Sequence, residues 1–219
     1  DSMADNLDGW TIRASAAFTL GNGGKGRKCR WIMDPRYAQL ADVLCGFSTR
    51  LKKGEKFLID VAETPEEFVI ALIRSARKHG AVPMVNIQQA RVSREMTREG
   101  SAEQFKLYAD HELARMKKMQ AYIAVRGANN IFESSDVPAD RARLLGETVR
   151  PLMDWRVNKT KWVVLRWPTS SMAQQAKMST EAFEDFYFRV CTLDYSRMIP
   201  GMEALKHCLL YTSPSPRDL

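Results

Sequence analysis

The sequence predicts a layered α/β fold, in which a mostly parallel, Rossmann-like sheet of about four strands alternates with helices and further helices follow at the C-terminal end. Two observations predict it. Short apolar runs typical of buried strands alternate with longer segments of helical spacing, and glycine, proline and N-cap residues separate them. The 219 residues, 45% hydrophobic and 27% charged, suffice for one core of ordinary globular composition.

The first helix and the first strand have clear boundaries. Asp34 is an N-cap residue and Pro35 suits the first helical position, so the apolar spacing that follows predicts a helix over about 35–51. Gly54 is the stop signal for that helix. The apolar run 56–61 then predicts a short buried strand.

A second helix connects this strand to the next one. Residues 64–67 read as a capping box with proline at the first helical position, and Lys78, His79 and Gly80 supply the cations and the glycine that favour a helix end. The run 82–87 is the next predicted strand. Strand, crossover helix and strand form the unit from which parallel sheets with right-handed connections are built.

The same alternation continues to the end of the chain. The remaining predicted elements are a helix over 101–120, a strand over 121–125, a helix over 138–157, a strand over 161–166, a polar loop with Ser170, Ser171 and Gln174, a helix over about 180–193, and a short helix before His207. Within the penultimate helix, the spacing of Phe183, Phe186, Tyr187 and Val190 predicts a buried face.

Candidate substrate-cleft residues follow from the predicted sheet. In an open parallel sheet, ligands bind in the crevice at the carboxyl ends of the strands. That rule selects Glu63, Gln88, Arg126 and Trp167, each of which follows or ends a predicted strand.

The sequence shows no recognisable catalytic or metal-ligating cluster. Asp110, His111 and Glu112 are consecutive on a predicted helix, so their side chains point about 100° apart and cannot hold one metal ion. Ser170 and Ser171 lack a histidine base in any recognisable arrangement. We therefore expect no catalytic, cofactor-binding or metal-binding residue in this chain.

The net charge of +7 raises the question whether the protein binds nucleic acid. Lysine and arginine are interleaved with aspartate and glutamate, as in 95–99 and 140–143, which is typical of solvated helix faces. No known nucleic-acid-binding motif accompanies the charge. We expect neither nucleic acid nor membrane as a partner.

The spacing of the cysteines and the lack of a long apolar segment indicate that the protein is located in the cytoplasm. No apolar run approaches the roughly 18 residues of a membrane span, and the opening stretch does not resemble a signal peptide. The four cysteines are far apart and form no CxxC pair, which favours reduced thiols: Cys29, Cys45, Cys191 and Cys208.

Both ends differ from the middle of the chain. Residues 1–32 show no sustained helical or strand periodicity. Their glycine-rich run 21–26 matches a phosphate-binding loop poorly, because Arg27 stands where such a loop has lysine. We interpret 1–32 as a disordered or foreign leader. The tail 208–219 resembles the translation of a sequencing-library adapter, and the alternative is a disordered Ser/Pro tail. The expected domain is therefore 33–207.

Six segments of that domain carry a resemblance to a known family: 33–42, 54–60, 63–69, 160–169, 171–174 and 183–188. In their order and spacing they resemble the amino-terminal half of the thermophilic-type metallo-aminopeptidases, the aminopeptidase T, aminopeptidase S and PepS-like family.

The resemblance implies a metal-dependent exopeptidase that removes amino-terminal residues from peptides. Members of the family use two neighbouring divalent ions (zinc, cobalt or magnesium) and usually work as homodimers. Their metal ligands lie in a carboxy-terminal domain, so none can be assigned to a residue here. We therefore expect a fragment that is inactive alone and that lacks its catalytic partner domain. The alternative is a nonenzymatic α/β module that binds a ligand or nucleic acid.

Overall fold

One parallel sheet of four strands organises the protein. The computed structural model describes residues 34–212; the expected leader and residues 213–219 lie outside the described residues. The strands are β1 (Lys56–Ala62), β2 (Val82–Gln88), β3 (Ala121–Arg126) and β4 (Lys161–Arg166), arranged in the order β2-β1-β3-β4. Every neighbouring pair is parallel. The predicted α/β fold with a parallel sheet is confirmed.

Helices precede the first strand, connect the strands and follow the last one. They are α1 (Pro35–Asp42), α2 (Glu66–Lys78), α3 (Ala90–Arg98), α4 (Ala102–Met116), α5 (Ala139–Lys159), α6 (Ser170–Gln175), α7 (Thr180–Cys191) and α8 (Ile199–Thr212). A π-helical segment, Val43–Ser48, continues α1, and a 3₁₀ turn, Tyr195–Met198, precedes α8. α8 extends beyond His207, so the first residues of the expected tail are helical.

The sheet separates two apolar layers because side chains alternate along each strand. Phe57, Ile59 and Val61 of β1 face the layer that contains α1, α2 and Phe188 of α7. Leu58 faces the opposite layer, which is filled by residues of α4, β3 and α5. β1 and β3 lie in the middle of the sheet and are buried on both faces, as expected for central parallel strands.

The first helix begins as predicted and ends differently. The Asp34 carboxylate accepts a hydrogen bond from the Arg36 backbone N–H at 2.9 Å, with Pro35 in the first turn. The α-helix then widens to π geometry and stops at Ser48, short of the predicted end at 51. Thr49 explains the change, because its N–H and its hydroxyl both donate to the carbonyl of Leu44, five residues back, at 3.0 and 2.8 Å.

Three further local predictions are wrong. The capping box at 64–67 does not form: Pro65 is the N-cap residue, and the Thr64 hydroxyl donates to the Ala62 carbonyl at 3.0 Å instead. The polar loop after β4 is helix α6, because Ser171 and Ala173 are buried against the domain. In α7 the fully buried side chain is Phe188, whereas Phe186 and Val190 of the predicted stripe are 48% and 42% exposed.

Candidate functional site

A buried carboxylate lies near the carboxyl ends of β1, β2 and β3. Asp60 of β1 is 3% exposed. Its Oδ1 accepts hydrogen bonds from Asn86 Nδ2 at 2.9 Å and Gln88 Nε2 at 2.8 Å, both from β2. Its Oδ2 accepts from the Tyr122 hydroxyl at 2.7 Å and from Arg126 Nη2 at 2.6 Å, both from β3. We call these five residues the Asp60 network.

Strand register explains why these residues meet. Asp60 pairs in register with Asn86 of β2, and Tyr122 lies two residues before Ala124, its partner on β3. Because side chains two residues apart point to the same face, Gln88 and Arg126 approach the same carboxylate. The network therefore depends on parallel pairing of three strands.

Charge pairing keeps Asp60 ionised. Burial alone would raise the pKa of its carboxyl, but the Arg126 guanidinium and the donated hydrogen bonds outweigh burial and lower that pKa. Burial and the neighbouring Asp60 carboxylate raise the pKa of Tyr122, so its phenol stays protonated and donates. The Arg156 guanidinium lies over the Tyr122 ring, 4.0 Å from its centroid.

Two of the four predicted cleft residues belong to this network. Gln88 and Arg126 meet through Asp60, and Arg126 also donates from Nη1 to the Asp60 carbonyl at 2.9 Å. Their side chains are thus oriented by a buried acceptor that the sequence analysis did not select. The available signal was Asp60 itself, a carboxylate inside the apolar run of a central strand.

The other two predicted cleft residues lie elsewhere. The Glu63 carboxylate accepts a hydrogen bond from the Asn129 backbone N–H at 2.8 Å, and its own φ is 47°. Its carbonyl oxygen lies so close to Gly127 that a Cβ added there would be 2.2 Å from it. Trp167 is 5% exposed and packs in the layer of α1 and α2.

Trp167 is the centre of an aromatic cluster. The ring centroids of its partners lie 4.7 to 5.9 Å from it, and the partners are Tyr37, Phe68 and Phe188. Such pairs stabilise a fold by about 0.5–1.5 kcal/mol each beyond their burial. This residue therefore anchors α1, α2 and α7.

The remaining titratable candidates make local contacts. Asp110 pairs with Lys106 at 2.8 Å, and Glu112 pairs with Arg115, both within α4. His79 places its Nδ1 2.9 Å from the Ser75 carbonyl at the end of α2, the helix-end role that the sequence suggests. The Ser171 hydroxyl donates to the carbonyl of Ala128.

An open cleft borders the Asp60 network. It has a volume of about 340 Å³ and lies between the end of β2 and the helices α3, α4 and α5. Gln88 and Asn86 line it from the sheet, and Tyr108 and Glu112 line it from α4. Of the four predicted cleft residues, Gln88 lines this cleft, whereas Glu63, Arg126 and Trp167 do not.

The thermophilic metalloprotease family, M29, matches residues 33–201, well over half of the chain. The chain belongs to this family. This match agrees with the family resemblance found in the sequence. No curated protein sequence matches the chain.

Comparison with solved structures supports the α/β fold described above. Wild-type AmpT from Thermus thermophilus superposes with a TM-score of 0.57 at 15% identity, over 72% of this chain and 43% of that chain. The chain therefore spans less than half the length of AmpT. A putative LacI-family transcription repressor from Corynebacterium glutamicum, 16% identical over 60% of each chain, has a TM-score of 0.27, too low to indicate a shared fold.

A metalloprotease family implies a divalent metal ion, and the residues described do not fit one. Within 34–212, no group of three or more histidine, cysteine, aspartate or glutamate side chains could hold a metal ion. Asp60 already accepts four side-chain hydrogen bonds, one from a guanidinium, and Glu112 is paired with Arg115. These two carboxylates are therefore already engaged by other side chains of the protein.

Cys45 and Cys191 are free thiols. Cys45 is buried, and burial raises its pKa to about 11. That thiol stays protonated and unreactive near neutral pH. Among residues 34–212, no helix combines the length and the apolar character needed to cross a membrane.

Proposed function

We propose that this chain is the amino-terminal, noncatalytic part of a metal-dependent aminopeptidase that removes amino-terminal residues from peptides. The observation that carries the proposal is the family match over 33–201, on a chain that covers 43% of AmpT. The two divalent ions expected in the family, zinc, cobalt or magnesium, would then be held by ligands outside this sequence. The fragment alone would be inactive.

In this proposal the chain supplies a rigid wall of the substrate cavity. Gln88 and Arg126 are fixed by Asp60 at the carboxyl edge of the sheet, so they would orient a bound peptide without taking part in proton transfer. Glu63 and Trp167 would contribute to the cavity wall indirectly, by holding other parts of the chain in place. Glu63 holds the loop after β3 through Asn129, and Trp167 fixes the helices around the sheet.

The partners in this proposal are peptides, a carboxy-terminal catalytic domain and a second copy of the full-length protein. The free thiols Cys45 and Cys191 favour the cytoplasm as the site of action. Nucleic acid and membranes are not among the proposed partners. Many cations are already paired with carboxylates, as in the contacts of Arg94 with Asp136 and of Arg36 with Asp34.

Independent sequencing of the parent gene beyond codon 207 tests the proposal. We expect an open reading frame that continues into a segment rich in histidine, glutamate and aspartate. The protein expressed from it should hydrolyse aminoacyl p-nitroanilides when metal is added. A natural stop codon near 207 would contradict the proposal and favour a nonenzymatic binding module. Nucleic-acid affinity far above that of a control protein of equal charge would identify that module's ligand.

A further inference from the structure

The amino edge of the sheet, where the four strands begin, collects basic residues that are dispersed along the sequence. Hydrogen bonds connect the loops that lead into the strands. The Gly54 N–H donates to the Gly80 carbonyl at 2.8 Å, and the Gln120 N–H donates to the Lys56 carbonyl at 2.8 Å. The Lys161 N–H donates in turn to the Gln120 carbonyl at 3.0 Å. Four segments therefore lie side by side, and we call them the basic edge: 50–56, 77–82, 117–120 and 159–161.

The basic edge carries a large excess of positive charge. It contains ten lysine or arginine residues and a single carboxylate, Glu55. Two of these cations are ion-paired, Lys78 with Asp42 at 3.4 Å and Lys161 with Glu55 at 2.6 Å, and the Lys117 ammonium lies over an aromatic ring. The other seven are exposed, and no residue within 34–212 pairs with their side chains: Arg50, Lys52, Lys53, Lys56, Arg77, Lys118 and Lys159.

Helix ends explain only part of this charge. α2, α4 and α5 all end at the basic edge, and cations near the C-terminus of a helix offset the negative end of its dipole. That effect accounts for the cations at those helix ends. Lys52 and Lys53 lie in the loop before β1 and Lys56 is the first residue of β1, so no helix end accounts for them. Like charges gathered without partners repel one another, and an anionic partner would relieve that repulsion.

A recess with aromatic residues adjoins the unpaired cations. It has a volume of about 530 Å³, and Phe47, Arg50 and Trp162 are among the residues that line it. Phe47 and Trp162 are 36% and 47% exposed. An apolar side chain placed there would remove part of their surface from water. Exposed aromatic residues beside cations are typical of surfaces that bind proteins.

We propose that the basic edge docks an acidic segment of a partner protein, with one apolar side chain of that segment in the recess. At the usual strand spacing the four strand starts span about 14 Å, the length of about four extended residues. Carboxylates of the segment pair with the lysines of the loop before β1, and the apolar side chain lies against Phe47 and Trp162. This surface is at the opposite edge of the sheet from the Asp60 network, so docking there is separate from any peptide hydrolysis.

Fluorescence anisotropy of labelled polyanions tests the proposal at about 0.1 M salt. The probe is a decapeptide of glutamates with one central leucine, and a peptide with glycine in place of leucine and an oligodeoxythymidylate of equal charge are the comparisons. We expect the leucine peptide to bind the 219-residue protein about tenfold more tightly than the glycine peptide, because a leucine is buried. Equal affinity of the two peptides would overturn the proposal. Tighter binding of the oligonucleotide would overturn it as well and would identify nucleic acid as the partner.

Charge reversal locates the surface. Lys52→Glu/Lys118→Glu should weaken binding of the leucine peptide at least about tenfold, because both side chains are exposed and unpaired on the basic edge. Arg91→Glu/Arg143→Glu is the matched control, since it makes the same change in net charge at exposed positions of α3 and α5 outside the basic edge. The control should weaken binding less than about threefold, because salt screens distant charges. Equal losses in the two double variants would contradict the assignment.

A third variant tests the recess independently of charge. Ser48 is exposed and lines the recess, so Ser48→Trp should fill it. The preference for the leucine peptide over the glycine peptide should then fall from about tenfold to nearly none, while the glycine peptide binds as it does to the parent. An unchanged preference for the leucine peptide would refute the role of the recess.

Discussion

Asp60 is the residue on which the carboxyl edge of the sheet depends. Its side chain is 4% exposed and joins β1, β2 and β3 through four side-chain donors. A buried carboxylate is tolerated only when a cation and hydrogen bonds replace water. Removing it would leave the Arg126 charge and three polar groups partly buried without their acceptor.

We predict that Asp60→Ala lowers the free energy of unfolding by about 3–5 kcal/mol. The matched control is Asp110→Ala, which removes a carboxylate that is 63% exposed and paired with Lys106 within α4. The control should cost less than about 1 kcal/mol, because exposed ion pairs contribute little. Urea unfolding followed by circular dichroism measures both. Similar losses in the two variants would show that the network is not a stabilising unit.

The same carboxylate predicts a pH dependence. The pKa of Asp60 is lowered in the folded state, since Arg126 and the donated hydrogen bonds outweigh burial. Its contribution is therefore complete above the unfolded-state pKa of about 3.9 and is lost as the pH falls through the lower folded value. We expect the stability difference between the parent and Asp60→Asn to shrink as the pH falls below about 4. A difference that stays constant down to about pH 2 would contradict this assignment.

Gly127 provides a third residue-level prediction. A Cβ at this position would lie 2.2 Å from the Glu63 carbonyl oxygen, which is backbone and cannot move aside cheaply. Gly127→Ala should therefore lower the free energy of unfolding by more than about 2 kcal/mol. Gly146→Ala is the control, because nothing lies within 4 Å of its added Cβ in α5. That change should stabilise the protein by about 0.5–1 kcal/mol. Thermal unfolding measures whether each substitution lowers or raises the stability of the protein.

Some residues of the site could be predicted from the sequence, and others could not. Gln88 and Arg126 could be selected because they follow parallel strands, where ligands usually bind. Asp60 was missed because a single carboxylate in an apolar run carries no spacing pattern, and its partners are 26 to 66 residues away in the chain. Its role depends on strand order and register, which local periodicity does not encode.

At the level of elements, strands were easier to predict than helix ends. β4 lies at its predicted bounds, and β1, β2 and β3 each extend one residue further. Apolar runs bounded by glycine and proline carry that information. The π-helical end of α1 depends on local hydrogen bonds from Thr49 to the Leu44 carbonyl, five residues back. Helix α6 depends on a tertiary contact, that of Ser171 with the Ala128 carbonyl. Such contacts override local propensity.

β2 is an edge strand with an unprotected apolar surface. Val82 donates its N–H to the Glu55 carbonyl beside β1, so the alternate residues Pro83, Val85 and Ile87 direct their backbone groups away from the sheet. Val85 and Ile87 are 37% and 65% exposed. No charged side chain lies within β2. Edges of this kind pair with other chains, and Pro83 removes one donor from the free side.

We predict that Ile87→Lys reduces self-association of the protein without lowering its thermal stability. A charge on a free edge opposes strand pairing, and the side chain is already exposed. Leu107→Lys on α4 is the control, since Leu107 is 71% exposed and lies away from any strand edge. Light scattering during concentration measures the effect. An equal reduction by both changes would indicate general surface hydrophobicity rather than strand pairing.

At the level of the whole molecule, the parallel α/β architecture and the family both followed from the sequence. The alternation of strand and helix signals predicts the layers, and the segments near 33–42 and 160–169 resemble the family that matches 33–201. Strand order β2-β1-β3-β4 was not predicted, because it depends on which strands pair across the chain. The fold positions a cleft and a buried polar network at the carboxyl edge of the sheet.

Hydrolysis of leucine p-nitroanilide by the purified 219-residue protein is the most direct test of the noncatalytic role. The assay would be run with added zinc, cobalt or magnesium, together with equilibrium dialysis to count bound metal. We predict no turnover above the metal-only blank and no stoichiometric binding of metal. Metal-dependent turnover that co-purifies with the protein, with about two bound ions per chain as two-metal hydrolases require, would contradict the account.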